Sequence, residues 1–135
     1  MDLIKTIKIS AAGMQAQGTR LRVISENIAN ADSLPVKQGD DPYRRKMVTF
    51  KNELDRSLNA RKVKIDKIIP AKGEFSKKYD PTHPAADKEG YVLVPNVKSL
   101  VEMMDMREAQ RSYEANLSVV EVTKGMLMRT IDMLR

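Results

Sequence analysis

Residues 99–134 read SLVEMMDMREAQRSYEANLSVVEVTKGMLMRTIDML, and this stretch decides the fold. Counted in heptads, its a and d positions are Met103, Met106, Gln110, Tyr113, Leu117, Val120, Lys124, Leu127, Ile131 and Leu134, and all but two are apolar. Ser99-Leu100-Val101-Glu102 has the spacing of a capping box, and Asn96 after Pro95 offers an alternative cap. A helix of this extent would be about 54 Å long, far beyond the usual three turns. Apolar residues also lie off the seam, at Val101, Met104, Val119, Val122 and Met128. A hairpin partner covers only one narrow stripe, so the surplus predicts contact with further neighbours and hence assembly.

A second helical pattern lies at the other end, over residues 3–30. Its heptad positions are Ile4, Ile7, Ala11, Met14, Gly18, Leu21, Ser25 and Ile28, large residues alternating with small ones that admit close approach. Asn30-Ala31-Asp32-Ser33 followed by Pro35 stops it. All six prolines fall between the two patterns, where Met47–Phe50, Val63–Ile69 and Tyr91–Val94 read as short strands. The expected fold is therefore mainly α. N-terminal (1–33) and C-terminal (97–135) helices pair as an antiparallel coiled coil around a β-rich or extended central segment (34–96).

Composition narrows the chemistry. The chain has 135 residues, no cysteine, one histidine, six aromatic residues and nine methionines. Disulfides, thiol nucleophiles, thiolate metal sites and multi-histidine zinc sites are thereby excluded. His83 lies in a proline-rich turn with Asp80 and Asp87, without ligand spacing. Asp40-Asp41 precedes Pro42 and reads as a turn, and Glu102 with Asp105 sits at a helix start, where the macrodipole favours acid. No glycine pattern fits a phosphate loop. The expectation is a non-enzyme without cofactor or small-molecule substrate.

A net charge of +6 suggests a polyanion partner, with Arg44-Arg45-Lys46 and Arg61-Lys62-x-Lys64 as the densest clusters. The C-terminal segment from residue 97 is neutral, however, and no element resembles a basic recognition helix. The clusters fit either an anion contact or a solvated face. Asn27, Asn30 and Asn116 likewise admit two readings, as caps and solvent-facing amides or as polar pins that set helix register. The N-terminus lacks the uninterrupted apolar run of a secretory signal, and no stretch is long enough to span a membrane, which makes the cytoplasm the default location.

Four strings change that default. Ser25-Glu26-Asn27-Ile28-Ala29-Asn30-Ala31, Pro42-Tyr43-Arg44-Arg45-Lys46, Ala86-Asp87-Lys88-Glu89-Gly90-Tyr91-Val92 with Pro95-Asn96-Val97, and Glu102-Met103 with Ala109 and Arg111-Ser112-Tyr113-Glu114-Ala115-Asn116 occur in this order. Together they resemble the bacterial flagellar basal-body rod proteins along nearly the whole chain, least over residues 51–82. The resemblance implies a non-catalytic subunit of the proximal rod, whose terminal helices build a torque-transmitting shaft around the export channel. It also implies a periplasmic position in the basal body, reached through the flagellar type III export apparatus without a cleaved signal peptide. The implied partners are further copies, other rod proteins, membrane-ring and export-gate components and the export apparatus, with no nucleic acid. The expected assembly contacts are Ile4, Ile7, Ala11, Met14, Leu21, Asn27, Ile28, Asn30, Met103, Met106, Tyr113, Asn116, Leu117, Val120, Leu127, Ile131 and Leu134. The competing reading is a basic coiled-coil adaptor bound to nucleic acid.

Overall fold

A computed structural model describes residues 2–134. In chain order the elements are α1 (Leu3–Ala29), β1 (Lys46–Asp55), β2 (Ala60–Pro70), β3 (Ser76–Tyr79), β4 (Tyr91–Val94) and α2 (Ser99–Met133). Two long helices with a small central β region make the chain mainly α with a β insertion. Its residues group into two compact units. The first takes residues 2–21, 48–67 and 107–134, and the second takes 22–47 and 68–106.

Local chemistry explains the helix ends. Asp2 caps α1, its Oδ1 accepting the Lys5 backbone N–H at 3.1 Å. At the other end the Asn30 side chain donates to the Glu26 carbonyl at 2.9 Å, and a turn leads to the buried Pro35. α2 begins at Ser99, where the sequence places it, but the expected capping box is not what Glu102 forms. Both of its carboxylate oxygens accept hydrogen bonds from outside the helix, from Asn27 and from Arg45. Asn96, the alternative cap, accepts the Arg45 backbone N–H instead.

In the first unit α1 and α2 meet through small groups. A Cβ on Gly13 would stand 2.9 Å from Asn116 Oδ1, so this glycine is required by close approach. Ser10, Ala16, Ala109 and Thr123 are buried, and Arg20 pairs with Glu108 at 3.2 Å. The inward row of α2 here is Ala109, Asn116 and Thr123, spaced by heptads. Those residues lie one position before Gln110, Leu117 and Lys124 of the sequence-read seam. Val120 and Leu127 of that seam are half-buried beside the row.

Residues 48–67, most of the hairpin of β1 and β2, complete this unit, and the hairpin is longer than the apolar residues predict. Lys51–Asp66, Glu53–Lys64 and Asp55–Lys62 pair at 3.2, 2.9 and 2.9 Å, each stepping two residues along one strand and back two along the other. Opposite charges across an antiparallel pair support it without any apolar alternation. Asn59 takes the left-handed conformation (φ 44°) in the turn, and its carbonyl accepts the Lys5 ammonium at 3.1 Å.

In the second unit β3 and β4 pair antiparallel from Ser76↔Val94 to Tyr79↔Tyr91, with those two rings edge to face at 5.3 Å. β4 matches its expected span. β3 does not register in the sequence, because Ser-Lys-Lys-Tyr is exposed throughout and has no apolar face. Gly90 closes the loop before β4 at φ 83°, and a Cβ there would lie 3.0 Å from the Tyr79 ring. Val23, Ile24, Ala85 and Val92 form the small apolar core.

Candidate functional site

A polar cluster occupies the middle of the second unit. Asn27 and Glu102 are 1% and 0% exposed. The Asn27 amide nitrogen donates to Glu102 Oε2 at 2.9 Å and to the Lys46 carbonyl at 2.8 Å. Its oxygen accepts the Lys46 backbone N–H and the Tyr43 hydroxyl, both at 2.9 Å. Two donors and two acceptor lone pairs are the full capacity of an amide, and all four are used. Glu102 Oε1 accepts Arg45 Nε, and Arg45 Nη2 reaches Asp105 at 3.3 Å. Lys46 Nζ pairs with Glu26.

A buried carboxylate is expensive to desolvate, so this pair adds little net stability over an apolar equivalent. A chain that misaligned these segments would leave a charge unpaired inside the protein, at a cost of several kcal/mol, about 3–5 for a broken buried pair. Burial, together with the Glu26 carboxylate, pushes the Tyr43 phenol above its ordinary range. The hydrogen bond to Glu26 raises Lys46 in turn. Both shifts favour a neutral phenol beside a charged ammonium.

The basic clusters have internal partners. Arg44 lies 4.2 Å over the Phe75 ring and donates to the Ala71 and Gly73 carbonyls at 3.2 and 3.1 Å. Arg45 and Lys46 belong to the polar cluster, while Lys62 and Lys64 pair with Asp55 and Glu53. His83 accepts the Ala85 N–H through Nδ1 in a tight turn.

The expected assembly residues fall into three groups. Asn27 is buried, and its amide makes all four of its hydrogen bonds within the chain. Ile7, Met14, Leu21, Ile28, Asn30, Met106, Asn116, Val120 and Leu127 are half-buried. Ile4, Ala11, Met103, Tyr113, Leu117, Ile131 and Leu134 are exposed. Asn30 bonds within its own turn, and Asn116 donates to the Ser112 carbonyl at 2.8 Å while packing against Gly13.

Exposure is concentrated on α2. Leu100, Val101, Met103, Met104, Tyr113, Leu117, Val119, Val122, Met126, Met128, Ile131 and Met133 all face solvent there. Val119, Val122, Met126 and Met133 follow helical spacing on one side of the inward row, and Tyr113, Leu117, Met128 and Ile131 on the other.

The roles of Tyr43, Arg45, Lys46, Asn96 and Glu102 are not visible in their local sequence. Basic residues read as surface and Glu102 as a cap. The available signal is that they lie in the resembling strings Ser25–Ala31, Pro42–Lys46, Pro95–Val97 and Glu102-Met103, each of which supplies a member of the cluster or of its immediate shell.

Known proteins are similar to this chain in sequence. A family model described as "Flagella basal body rod protein" matches residues 7–33, and one described as "Flagellar basal body rod FlgEFG protein C-terminal" matches residues 88–133. The flagellar basal-body rod protein FlgC of Agrobacterium fabrum is 52% identical over 128 residues, covering 95% of this chain and 92% of that protein. FlgC of Bacillus subtilis is 40% identical, with 98% of each chain covered. FlgC of Salmonella typhimurium is 36% identical, with 97% of each covered.

Proposed function

We propose a mechanical reading from one premise: this chain belongs to the flagellar basal-body rod protein family, on its FlgC branch. It is a structural subunit of the flagellar basal-body rod. The nucleic-acid adaptor finds no support among the relatives, and the basic clusters that suggested it are largely engaged within the chain.

The finer reading concerns how the subunit carries load. The terminal segments 1–33 and 97–135 form an antiparallel coiled coil, and the central segment 34–96 braces it. Supporting this, Gly13 meets Asn116 while Arg20 meets Glu108, so partners descend α2 as they ascend α1. The exposed apolar sides of α2 are then covered by copies of the chain, by other rod proteins and, at the base of the rod, by ring and export-gate components. Many such contacts in the proximal rod wall transmit torque around the export channel. The chain reaches its periplasmic place through the type III export apparatus without signal-peptide cleavage.

The observation that carries this reading is the apolar exposure of α2 on both sides of its inward row. A half-exposed Leu or Met yields about 1 kcal/mol on burial. One contact is therefore weak, and a subunit is held only when several neighbours cover it together. Leu117→Asp and Ile131→Asp test the point, since both side chains are exposed in the chain, at 40% and 51%. Each variant is expected to keep the circular dichroism and unfolding midpoint of the parent while failing to enter basal bodies or support swimming. Normal swimming by both variants would remove this face from the assembly.

A further inference from the structure

The chain has no cysteine, so thioethers carry all of its sulfur chemistry. Among the described residues the methionines divide by position. Met103, Met104, Met126, Met128 and Met133 are between 49% and 81% exposed, and all five lie on α2. Met14, Met47 and Met106 are half-buried. The exposed five share the apolar sides of α2 with Leu117, Val119, Val122 and Ile131.

We propose that these five methionines are an oxidation-sensitive set along the exposed sides of α2, and that peroxide modification of an unassembled chain bars it from the rod. This rests on the assembly reading of α2 given above. In the reaction a thioether sulfur attacks one oxygen of hydrogen peroxide. The O–O bond breaks, an S–O bond forms, and the second oxygen leaves as water after proton transfer. Sulfur loses two electrons and the peroxide gains them. The product is a polar, chiral sulfoxide with a strong acceptor oxygen, on a surface whose neighbours would be apolar. A covered face loses access to peroxide, so assembly protects the residues whose oxidation blocks it. An oxidised subunit is thereby excluded before incorporation, while a completed rod resists the same oxidant.

Two measurements on the full-length chain test the proposal. Peptide mapping of the purified protein during peroxide exposure should show sulfoxide at the five α2 positions roughly tenfold faster than at Met14 and Met47, as exposure governs susceptibility. Comparable rates at all positions would overturn the division. Cells given a peroxide pulse that is removed before rod assembly is induced should then hold chain in isolated basal bodies with about fivefold less sulfoxide at the five positions than the unincorporated pool, following the loss of apolar character. Equal sulfoxide in both pools overturns the exclusion. A variant with Leu at all five positions keeps volume and apolarity, and should incorporate equally with or without the pulse. If it is excluded as strongly as the parent after the pulse, the block lies elsewhere. The aspartate variants separate the two ideas. Exclusion of Leu117→Asp with free entry of sulfoxides removes only this inference, whereas entry of both removes the assembly reading of α2.

Discussion

Replacing Glu102 by glutamine leaves its size unchanged and removes one buried charge. Both carboxylate oxygens accept hydrogen bonds, Oε2 from the Asn27 amide and Oε1 from Arg45 Nε. Whichever way the new amide turns, its NH₂ group faces one of those donors. One charge-assisted bond, worth about 1.5–3 kcal/mol, is lost, and two donors are left opposed in a site closed to water. Breaking a buried ion pair costs about 3–5 kcal/mol where the remaining charge has no other outlet. Arg45 has some outlet, because it reaches Asp105 at 3.3 Å and its side chain is 24% exposed. The expected loss is therefore about 3 kcal/mol, a large share of the roughly 5–15 kcal/mol that holds a domain. Urea unfolding of the purified chain, followed by far-ultraviolet circular dichroism, measures it as a lower midpoint with an unchanged slope. Glu108→Gln is the control, since that carboxylate is 66% exposed and its pair with Arg20 is worth at most about 1 kcal/mol. A loss below about 1 kcal/mol for Glu102→Gln would refute the view that this cluster ties the second unit together.

Close approach at Gly13 makes a second expectation. Gly13→Ala gains about 1 kcal/mol of helix propensity but presses on Asn116, so the gain should emerge only in the Asn116→Ala background. A double-mutant cycle in unfolding free energy with no coupling would contradict the contact. Gly18 has nothing within 4 Å, and Gly18→Ala should stabilise the free chain by about 1 kcal/mol in the same assay. On the alkaline side, Tyr43 and Lys46 both titrate above their ordinary values of 10.0 and 10.5 in the folded chain. Their contribution is complete below those values and lost as pH rises through the folded ones. Tyrosinate absorbance, taken as the difference from Tyr43→Phe, should show a midpoint above that of free tyrosine. On the acid side the signs reverse. The Ser57 hydroxyl and then Lys62 hold Asp55 well below the usual carboxylate range, and backbone N–H groups of Tyr91 and Glu89 lower Asp87. Their support is present above the ordinary carboxylate value and fades as pH falls through the folded ones. Protection of hairpin amides from exchange, relative to the unfolded chain at the same pH, should fall below about pH 4, with a weaker pH dependence in Asp55→Asn.

The two helices, their ends at Asn30 and Ser99, strand β4 and the lack of cysteine are legible in the residues alone. Each rests on local signals: a repeat along one segment, a cap or proline at its border, or a residue type that is simply missing. The sequence also showed that α2 carries more apolar surface than one partner can cover. That same surplus hid which row of α2 turns inward. With apolar residues on several sides, periodicity does not select a face. Only packing against Gly13 chose the row of Ala109, Asn116 and Thr123 over that of Gln110, Leu117 and Lys124. β3 and the far half of β1 escaped because cross-strand partners support them rather than any pattern of their own. The polar cluster is the extreme case. Glu102 is a plausible cap and Arg45 a plausible surface cation until the chain brings them together with Asn27, across 57 and 75 positions of sequence. A hydrogen bond depends on both partners and on the distance between them, and for these residues tertiary structure alone supplied the second partner.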